Sequence, residues 1–569
     1  MQLALAMLFP TQMRWRLRRF SRMFVAIFLV ALTVAPRAWS DGLSPEGQRL
    51  LKALLDAGRL DDLCSPDFES FQPYLRSFYD QNGWILGWTD HGIPSAQARA
   101  VIAQFGQSDR KGLNPADYDA LRWPDRLQRL PGASESERLR FDLALTVSAM
   151  RLVSDLHNGR VHLRRVAVEL NPKPTPFDPA AVVASLAHAQ DVASVVASME
   201  PPFAAYRRTE AALANYLPLA AADDGGKLPV PSKPIATRGT YAGAARLRRL
   251  LKLLGDLSAG APAPADSQAY DEALAQAVRA FQRRHGLTPD GRLDATTVAE
   301  LNVPISWRVR QLQLTLERWR WVPRQFAYPP IVVNIPEFRL RALDGNFKVA
   351  LSMNVIVGRA YHSRTPVFGG QMEYVIFRPY WNVPVGIARA ELARDIAKDS
   401  RYLEKHNFEI TTPTGEVVTR TAADDAMVLR LRRGELLIRQ RPGPTNSLGL
   451  VKFVLPNDHD VYLHDTPAQA LFSRARRDFS HGCIRLEHPD TLAVWVLREV
   501  PGWDLNRVEA AMQSGPDNRR VPLAHPIPIL IVYGTATVEE NGEVHFYQDV
   551  YGHDAALDRM LAKGSPYPR

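Results

Sequence analysis

Residues 461–486 read VYLHDTPAQALFSRARRDFSHGCIRL, a strand-like run and a tight turn separated by a longer connection. Val461-Tyr462-Leu463 ends on His464, and Ser480-His481-Gly482-Cys483-Ile484-Arg485 puts a cysteine directly after a glycine, where the backbone turns sharply. Beyond the turn, Leu492, Ala493, Val496 and Leu497 have helical core spacing, with Asp490 as the expected cap. His459, His464, His481, Cys483 and His488 gather soft donor atoms in this short span. Two chemistries compete for them, a metal site and a thiol nucleophile. Structural zinc sites normally pair their cysteines, and this stretch has one. A free thiol, with a pKa of about 8.5, is only slightly ionised at neutral pH and needs a histidine or a positive field beside it. His464, lying across a sheet from Cys483, would supply the base, with Asp465 orienting its ring. Backbone N–H groups around Gly482 and Cys483 would face an oxyanion.

Outward from this stretch the pattern is that of strands. Ile331 to Ile335, Phe338 to Leu340 and the alternation of Val349, Leu351, Met353, Val355 and Val357 surround a turn at Asp344-Gly345. Ile527 to Val538 and Val544 to Val550 flank Asn541-Gly542, a hairpin signal. A mainly β domain is expected over 328–555, interrupted by a more helical and charged insert at about 388–437. Residues 240–303 have helical spacing, with Leu247, Leu250, Leu251 and Leu254 on one face, Gly286 as a left-handed cap and Asp294 as an N-cap. Within them, AVRAFQRRHGLTPDGRLDATTVAELN (277–302) resembles the peptidoglycan-binding three-helix module. Residues 41–220 read as mostly helical, with an aromatic-rich core around Tyr74, Phe78, Tyr79, Trp84 and Trp88; 221–239 reads as a linker.

Length and composition agree with several globular units. The chain has 569 residues, 46% hydrophobic and 23% charged, which excludes a mainly disordered or collagen-like protein. Two cysteines cannot build a disulfide framework, and Cys64, far from Cys483 in sequence, is expected to be a free thiol without a role. The net charge of +10 at first suggests nucleic acid, but the first 40 residues hold six arginines and no acid. A chain cut there keeps 64 basic against 60 acidic residues, so no nucleic-acid partner is expected. Arg14 to Arg22, the 13-residue apolar run Met23–Ala35 and Ala38-Trp39-Ser40 read as a signal peptide over 1–40. The run is short of the roughly 20 residues of a stable membrane span. If uncleaved, 23–35 would be a membrane anchor; otherwise the chain is expected free in the periplasm.

Tyr462-Leu463-His464-Asp465-Thr466-Pro467 together with SHGCIRL resembles the catalytic motif of the L,D-transpeptidase family. Tyr380 to Pro384, Arg439 to Gly443, Asn446 to Gly449, Lys452-Phe453 and Pro456-Asn457 match further pieces in order. The layout resembles the long periplasmic branch of that family. The resemblance implies a multidomain α+β protein: a helical N-terminal scaffold, a three-helix peptidoglycan-binding module, and a mainly β catalytic domain with an inserted helical subdomain. It implies that Cys483 attacks the carbonyl of the third residue of a tetrapeptide stem, expels D-Ala and is resolved by a diaminopimelate amine, giving a 3→3 cross-link. His464 would be the general base and acid, His481 and Gly482 the oxyanion region. Arg485, Ser480, Asp465, Trp381 and Tyr361 would line the substrate cleft, with 361–368 as its wall. The family's motif often has Ser or Thr after the base histidine, so Asp465 is a departure. No cofactor and no metal are implied; a lipoprotein lysine is an alternative acceptor. The same residues would serve an L,D-carboxypeptidase, and a non-catalytic wall-binding scaffold is the alternative from another class.

Overall fold

A computed structural model describes residues 42–567 except 167, 171–175, 263, 361, 362, 400 and 566. The expected signal peptide (1–40), the alternative anchor (23–35) and the cleft residue Tyr361 therefore lie outside the described residues. Among the described residues no helix is long and apolar enough to cross a membrane.

The N-terminal region is helical, as its periodicity predicts. Its central helix α1 (Glu135–Asn158) opens on a capping box in which the Ser134 hydroxyl and the Glu137 carboxylate satisfy each other's backbone N–H groups. From Leu139 to Val153 nearly every side chain is buried, so this helix is enclosed by the others. Its buried polar groups are paired: the Asp142 carboxylate accepts from Tyr79 Oη and from the Trp88 N–H, both at 2.8 Å. Trp88 Nε1 donates to Thr146 Oγ1 at 2.9 Å. The aromatic stretch is thus core, with Tyr74 alone among those rings 37% exposed at the surface. Helix α2 (Ala204–Ala222) closes this region.

The next module has the three expected helices, α3 (Ala244–Leu253), α4 (Glu272–Arg284) and α5 (Ala295–Leu301). Leu247, Leu251, Leu274, Val278, Phe281 and Val298 form its core. Gly286 adopts φ 64° after α4, and Asp294 caps α5 by accepting from the Thr297 N–H at 2.7 Å. The segment expected to be a linker, 221–239, is fastened to this module. Leu228 enters the core, and Leu228 and Asn302 exchange hydrogen bonds of 2.7 and 2.9 Å.

Helix α6 (Ile305–Trp319) leads into the C-terminal domain. Its Glu317, fully buried, accepts from the Arg160 N–H (2.5 Å), Arg160 Nε (3.1 Å), the Val161 N–H (3.2 Å) and Arg320 Nη1 (3.3 Å). Burial alone would push this carboxyl up, but the two guanidiniums hold it below the usual glutamate range.

The C-terminal domain is built on one large sheet. In chain order its strands are β1 (Val168–Glu169), β2 (Ile331–Asn334), β3 (Arg339–Leu343), β4 (Val349–Gly358) and β5 (Val367–Phe377). The insert supplies β6 (Trp381–Asn382), β7 (Phe408–Thr411), β8 (Val417–Thr419) and β9 (Leu437–Gln440) to a separate sheet. The main sheet resumes with β10 (Val451–Val454), β11 (Leu463–His464), β12 (Asp478–Ser480), β13 (Ile484–Leu486) and β14 (Arg519–Val532). Its order is β10-β11-β13-β4-β3-β2-β14-β5-β1, and a further β10–β5 pairing closes the path into a ring; β12 pairs with β4. The first strand comes from the N-terminal region, so the helical part is joined to the main sheet by main-chain pairing at Val168↔Val367. The Asn541-Gly542 hairpin forms between Ala536–Val538 and Val544–Phe546 but stands outside this sheet, against α2 and α6.

The insert differs from expectation. Besides short helices it carries its own four-stranded antiparallel sheet, order β6-β9-β7-β8, so it is mixed rather than mainly helical, and its sheet spans 381–440. Its strands are short. One of its two central strands, β7, holds Glu409 fully buried between Arg439 (2.6 Å) and Arg420 (2.8 Å), a pairing that no local pattern announces.

Candidate active site

The register of three neighbouring strands sets the site. In β11 and β13, which run parallel, Leu463 pairs with Ile484 and His464 with Arg485; in β10, antiparallel to β11, Lys452 pairs with His464. Because strand side chains alternate, Leu463, Ile484 and Phe453 point inward and are fully buried in the core. Lys452, His464 and Arg485 make a row on the opposite face, and by the same alternation Tyr462 and Cys483, two residues before His464 and Arg485 and just ahead of their strands, fall on that face. A one-residue slip would bury the cations and expose the core, so the register is strongly specified.

Cys483 is half-buried. Its Sγ lies 3.6 Å from the carbonyl oxygen of Asp460, which adopts φ 54°. Burial pushes the thiol up, while Tyr462 and the Lys452 ammonium pull it down; burial prevails and the resting group is a thiol. The turn before it is tied from within. The Gly482 N–H donates to Ser480 Oγ at 3.1 Å, and the Ser480 hydroxyl donates to the Cys483 carbonyl at 2.5 Å. Gly482 has φ 121°, a conformation closed to residues with a β-carbon. Ser480, 1% exposed, therefore shapes the turn rather than facing a cleft, and the Gly482 N–H is already engaged.

His464 is buried. Its Nδ1 donates to the Asp465 carbonyl at 2.5 Å, which fixes the neutral tautomer with its lone pair on Nε2. Burial first, then Arg485 and Lys452, lower its pKa to about 3 against the pull of the Asp465 and Leu448 carbonyls. The ring is thus oriented by the main chain of Asp465. The Asp465 carboxylate is turned elsewhere: it accepts from the N–H groups of Leu450 (2.8 Å) and Thr466 (2.6 Å). Gly449, at φ 61°, gives it room, since a β-carbon there would come within 2.3 Å of that carboxylate. The departure from Ser or Thr at 465 leaves the orienting atom in place, because that atom belongs to the backbone.

The remaining expected residues fall at different distances from this centre. Arg485 lies on the site face with Nε buried and unpaired. Trp381, on β6, packs on Phe408 with ring centroids 6.2 Å apart, against the core of the insert. His481 turns outward, its Nε2 2.9 Å from Glu391 of the insert. His459 faces Glu169 at 3.4 Å and His488 faces Glu487 at 3.8 Å, so the soft donors do not converge. Asp490 sits within the first turn of helix Pro489–Leu497 rather than capping it. Cys64 is exposed and unpaired with Cys483.

Sequence reasoning missed Thr365 and the rear wall. Thr365, fully buried, accepts from the Gly358 N–H (2.9 Å) and donates to the Gly482 carbonyl (2.7 Å). Tyr551, from the far end of the chain, accepts from the Thr365 N–H and donates to the Gly358 carbonyl. The only signal for Thr365 was its place within the expected cleft wall at 361–368.

Comparison with known proteins defines the class. Residues 329–519 match the L,D-transpeptidase catalytic domain, 241–301 the "putative peptidoglycan binding domain" and 73–213 a scaffold domain. The chain therefore carries an L,D-transpeptidase catalytic domain behind a scaffold domain and a peptidoglycan-binding domain. It is 32% identical over 250 residues to a "Putative L,D-transpeptidase" of Haemophilus influenzae, a match covering 44% of this chain and 49% of that protein. The chain thus spans about half the length of this curated relative. Among solved structures, an L,D-transpeptidase from Stackebrandtia nassauensis is 11% identical, covering 53% of this chain and 97% of its own, with a TM-score of 0.21. A fused zinc-dependent amidase/peptidase with a peptidoglycan-binding domain, from Clostridium acetobutylicum, is 12% identical, covering 53% of this chain and 99% of its own, at 0.15. Overlaps this low carry no argument.

Proposed function

We propose that this protein is a periplasmic peptidoglycan L,D-transpeptidase acting through a Cys483 thioester. The observation that carries the reading is the single row Lys452, His464 and Arg485 beside a half-buried, protonated thiol. His464, neutral and unprotonated on Nε2, takes the thiol proton as Sγ attacks the carbonyl of the third stem residue. The tetrahedral oxyanion collapses, D-Ala leaves with the proton returned by the imidazole, and a thioester remains. The amine of a second stem's diaminopimelate, deprotonated by the same histidine, attacks the thioester and restores the thiol.

Arg485, a cation without a carboxylate partner on the site face, is suited to a substrate carboxylate. The peptidoglycan-binding domain would hold the glycan strand, which places the substrate outside the cytoplasm. The test is product analysis by mass spectrometry after incubation with disaccharide-tetrapeptide, beside Cys483→Ala. Cross-linked dimer with loss of D-Ala, absent from the variant, is expected. Tripeptide alone would make the enzyme a carboxypeptidase, and intact tetrapeptide with retained binding to sacculi a non-catalytic scaffold.

A further inference from the structure

The Cys483 thiol donates its S–H to the main-chain carbonyl of Asp460 at 3.6 Å, and among the described residues no hydrogen bond joins the sulfur to the His464 ring. The resting proton is therefore directed at the backbone and not at the base. Asp460 presents that carbonyl from φ 54°, a region few residues with a β-carbon enter, so the turn that ends on it has to be held. From within, the Asn457 side chain ties it. Its oxygen accepts from the N–H groups of His459 (3.0 Å) and Val461 (3.2 Å), and its nitrogen donates to the carbonyls of Leu455 (2.6 Å) and Val461 (2.8 Å). From outside, the turn is held by His459, whose ring lies on Phe368 with centroids 4.9 Å apart and whose Nε2 faces Glu169 at 3.4 Å. Glu169 and Phe368 are partners in the β1–β5 pairing, so the two side chains form one seat for the imidazole. Strand β1 belongs to the stretch that matches the scaffold domain.

We propose that the scaffold strand β1 serves the active site: Glu169 and His459 are positioning residues that keep the Asp460 carbonyl on Cys483 and hold the resting nucleophile as a neutral thiol. The inference deepens the transpeptidase reading and rests on Cys483 being its nucleophile. An S–H donated to a carbonyl favours the protonated form, and the same oxygen beside the sulfur disfavours the thiolate. The proton passes to His464 Nε2 when Sγ turns from Asp460 to the acyl carbonyl. Oxidants and stray electrophiles attack the thiolate rather than the thiol, so the seat protects the nucleophile between turnovers.

The charged groups about the thiol and the seat come from several elements. Lys452 on β10 and Arg485 on β13 lie in the row with His464 and favour the thiolate; the Asp460 carboxylate, in the turn itself, opposes it. Around His459 the acids are Glu169 on β1 and the chain neighbours Asp458 and Asp460.

The test is the pH dependence of Cys483 alkylation by iodoacetamide, on the full chain in a Cys64→Ala background. In His459→Ala, which empties the seat, the midpoint is expected to fall by about one unit. About tenfold more thiolate, of somewhat lower nucleophilicity, then raises alkylation at pH 7 about threefold. Glu169→Lys, at a side chain 71% exposed, repels the imidazolium and should lower the midpoint by about half a unit. Glu169→Gln, which still offers His459 an oxygen, should stay with the parent. Superimposable profiles for the parent and His459→Ala would overturn the proposal, as would a midpoint that rises. A shift in His459→Ala with none in Glu169→Lys would leave the scaffold without a part and overturn it equally. Asp460→Asn keeps the carbonyl in a backbone region that asparagine tolerates. A midpoint as low there as in His459→Ala would assign the effect to the carboxylate charge and also overturn the proposal. Should His459→Ala not fold, Glu169→Lys against Glu169→Gln reads the same contrast, and equal profiles overturn it. Iodoacetamide reports on the thiol alone, so a chain inactive on tetrapeptide would sink the transpeptidase reading and leave this result standing.

Discussion

Replacing Thr365 by valine removes one oxygen from a fully buried side chain and keeps its shape. That oxygen takes the Gly358 N–H at 2.9 Å and gives its own proton to the Gly482 carbonyl at 2.7 Å, one residue before the nucleophile. A buried donor or acceptor left without a partner costs about 1–3 kcal/mol. Valine strands one of each, and among the described residues no other side chain holds the Gly482 carbonyl. If about 2 kcal/mol of this falls on the geometry of the turn, kcat/KM for tetrapeptide drops about 30-fold. Serine at the same position keeps both hydrogen bonds and loses a methyl group, about 1 kcal/mol of stability, with kcat/KM within about threefold. The assay is steady-state release of D-Ala by both variants, with urea unfolding followed alongside. Wild-type turnover in Thr365→Val, or a serine variant as slow as the valine one, would refute the reasoning.

Gly482→Ala forces a β-carbon onto φ 121°, so the turn must reshape at a cost of about 1–3 kcal/mol, and iodoacetamide labelling of Cys483 should slow at least tenfold while α-helical circular dichroism is unchanged. Glu317→Gln leaves Arg160 and Arg320 buried without their anion and should destabilise the chain by about 3–5 kcal/mol in urea. Because the folded pKa of Glu317 is depressed, its stabilisation is present above the unfolded value of about 4.3 and is lost as pH falls through the folded value; the Gln variant should lack that part of the acid sensitivity. His464 is likewise depressed, to about 3 against about 6.5 unfolded, so the unfolded chain binds its proton first and stability falls from about pH 6.5 down to about 3. Its imidazole NMR signals should stay those of a neutral ring between pH 7 and 5, and a His464→Asn variant should show a shallower slope over that window.

What the sequence reveals of this molecule follows how local each cause is. The alternation in Val349–Val357 and the Asn541-Gly542 pair act over neighbouring residues, and both features form where expected. Cys483 and His464 are legible because their chemistry sits in short motifs. The rear support is not, because Thr365 reaches Gly482 across 117 residues and Tyr551 reaches Gly358 across 193. The sheet of the insert is hidden for the same reason: Glu409 is a buried strand residue only because Arg439 and Arg420 arrive from elsewhere. Asp465 misleads in another way, since its side chain suggests the orienting group and its carbonyl does the orienting. The linker at 221–239 has the composition of a free segment, but Asn302, more than 70 residues on, fastens it.

The central claim is that Cys483 carries the acyl group. Brief incubation with disaccharide-tetrapeptide, acid quenching and peptide mass spectrometry of the chain tests it most directly. The account predicts a tripeptidyl adduct, the donor less D-Ala, on the peptide bearing Cys483, accumulating when no acceptor amine is present and absent from Cys483→Ala. Release of D-Ala with no adduct on Cys483, or continued in the alanine variant, would contradict it.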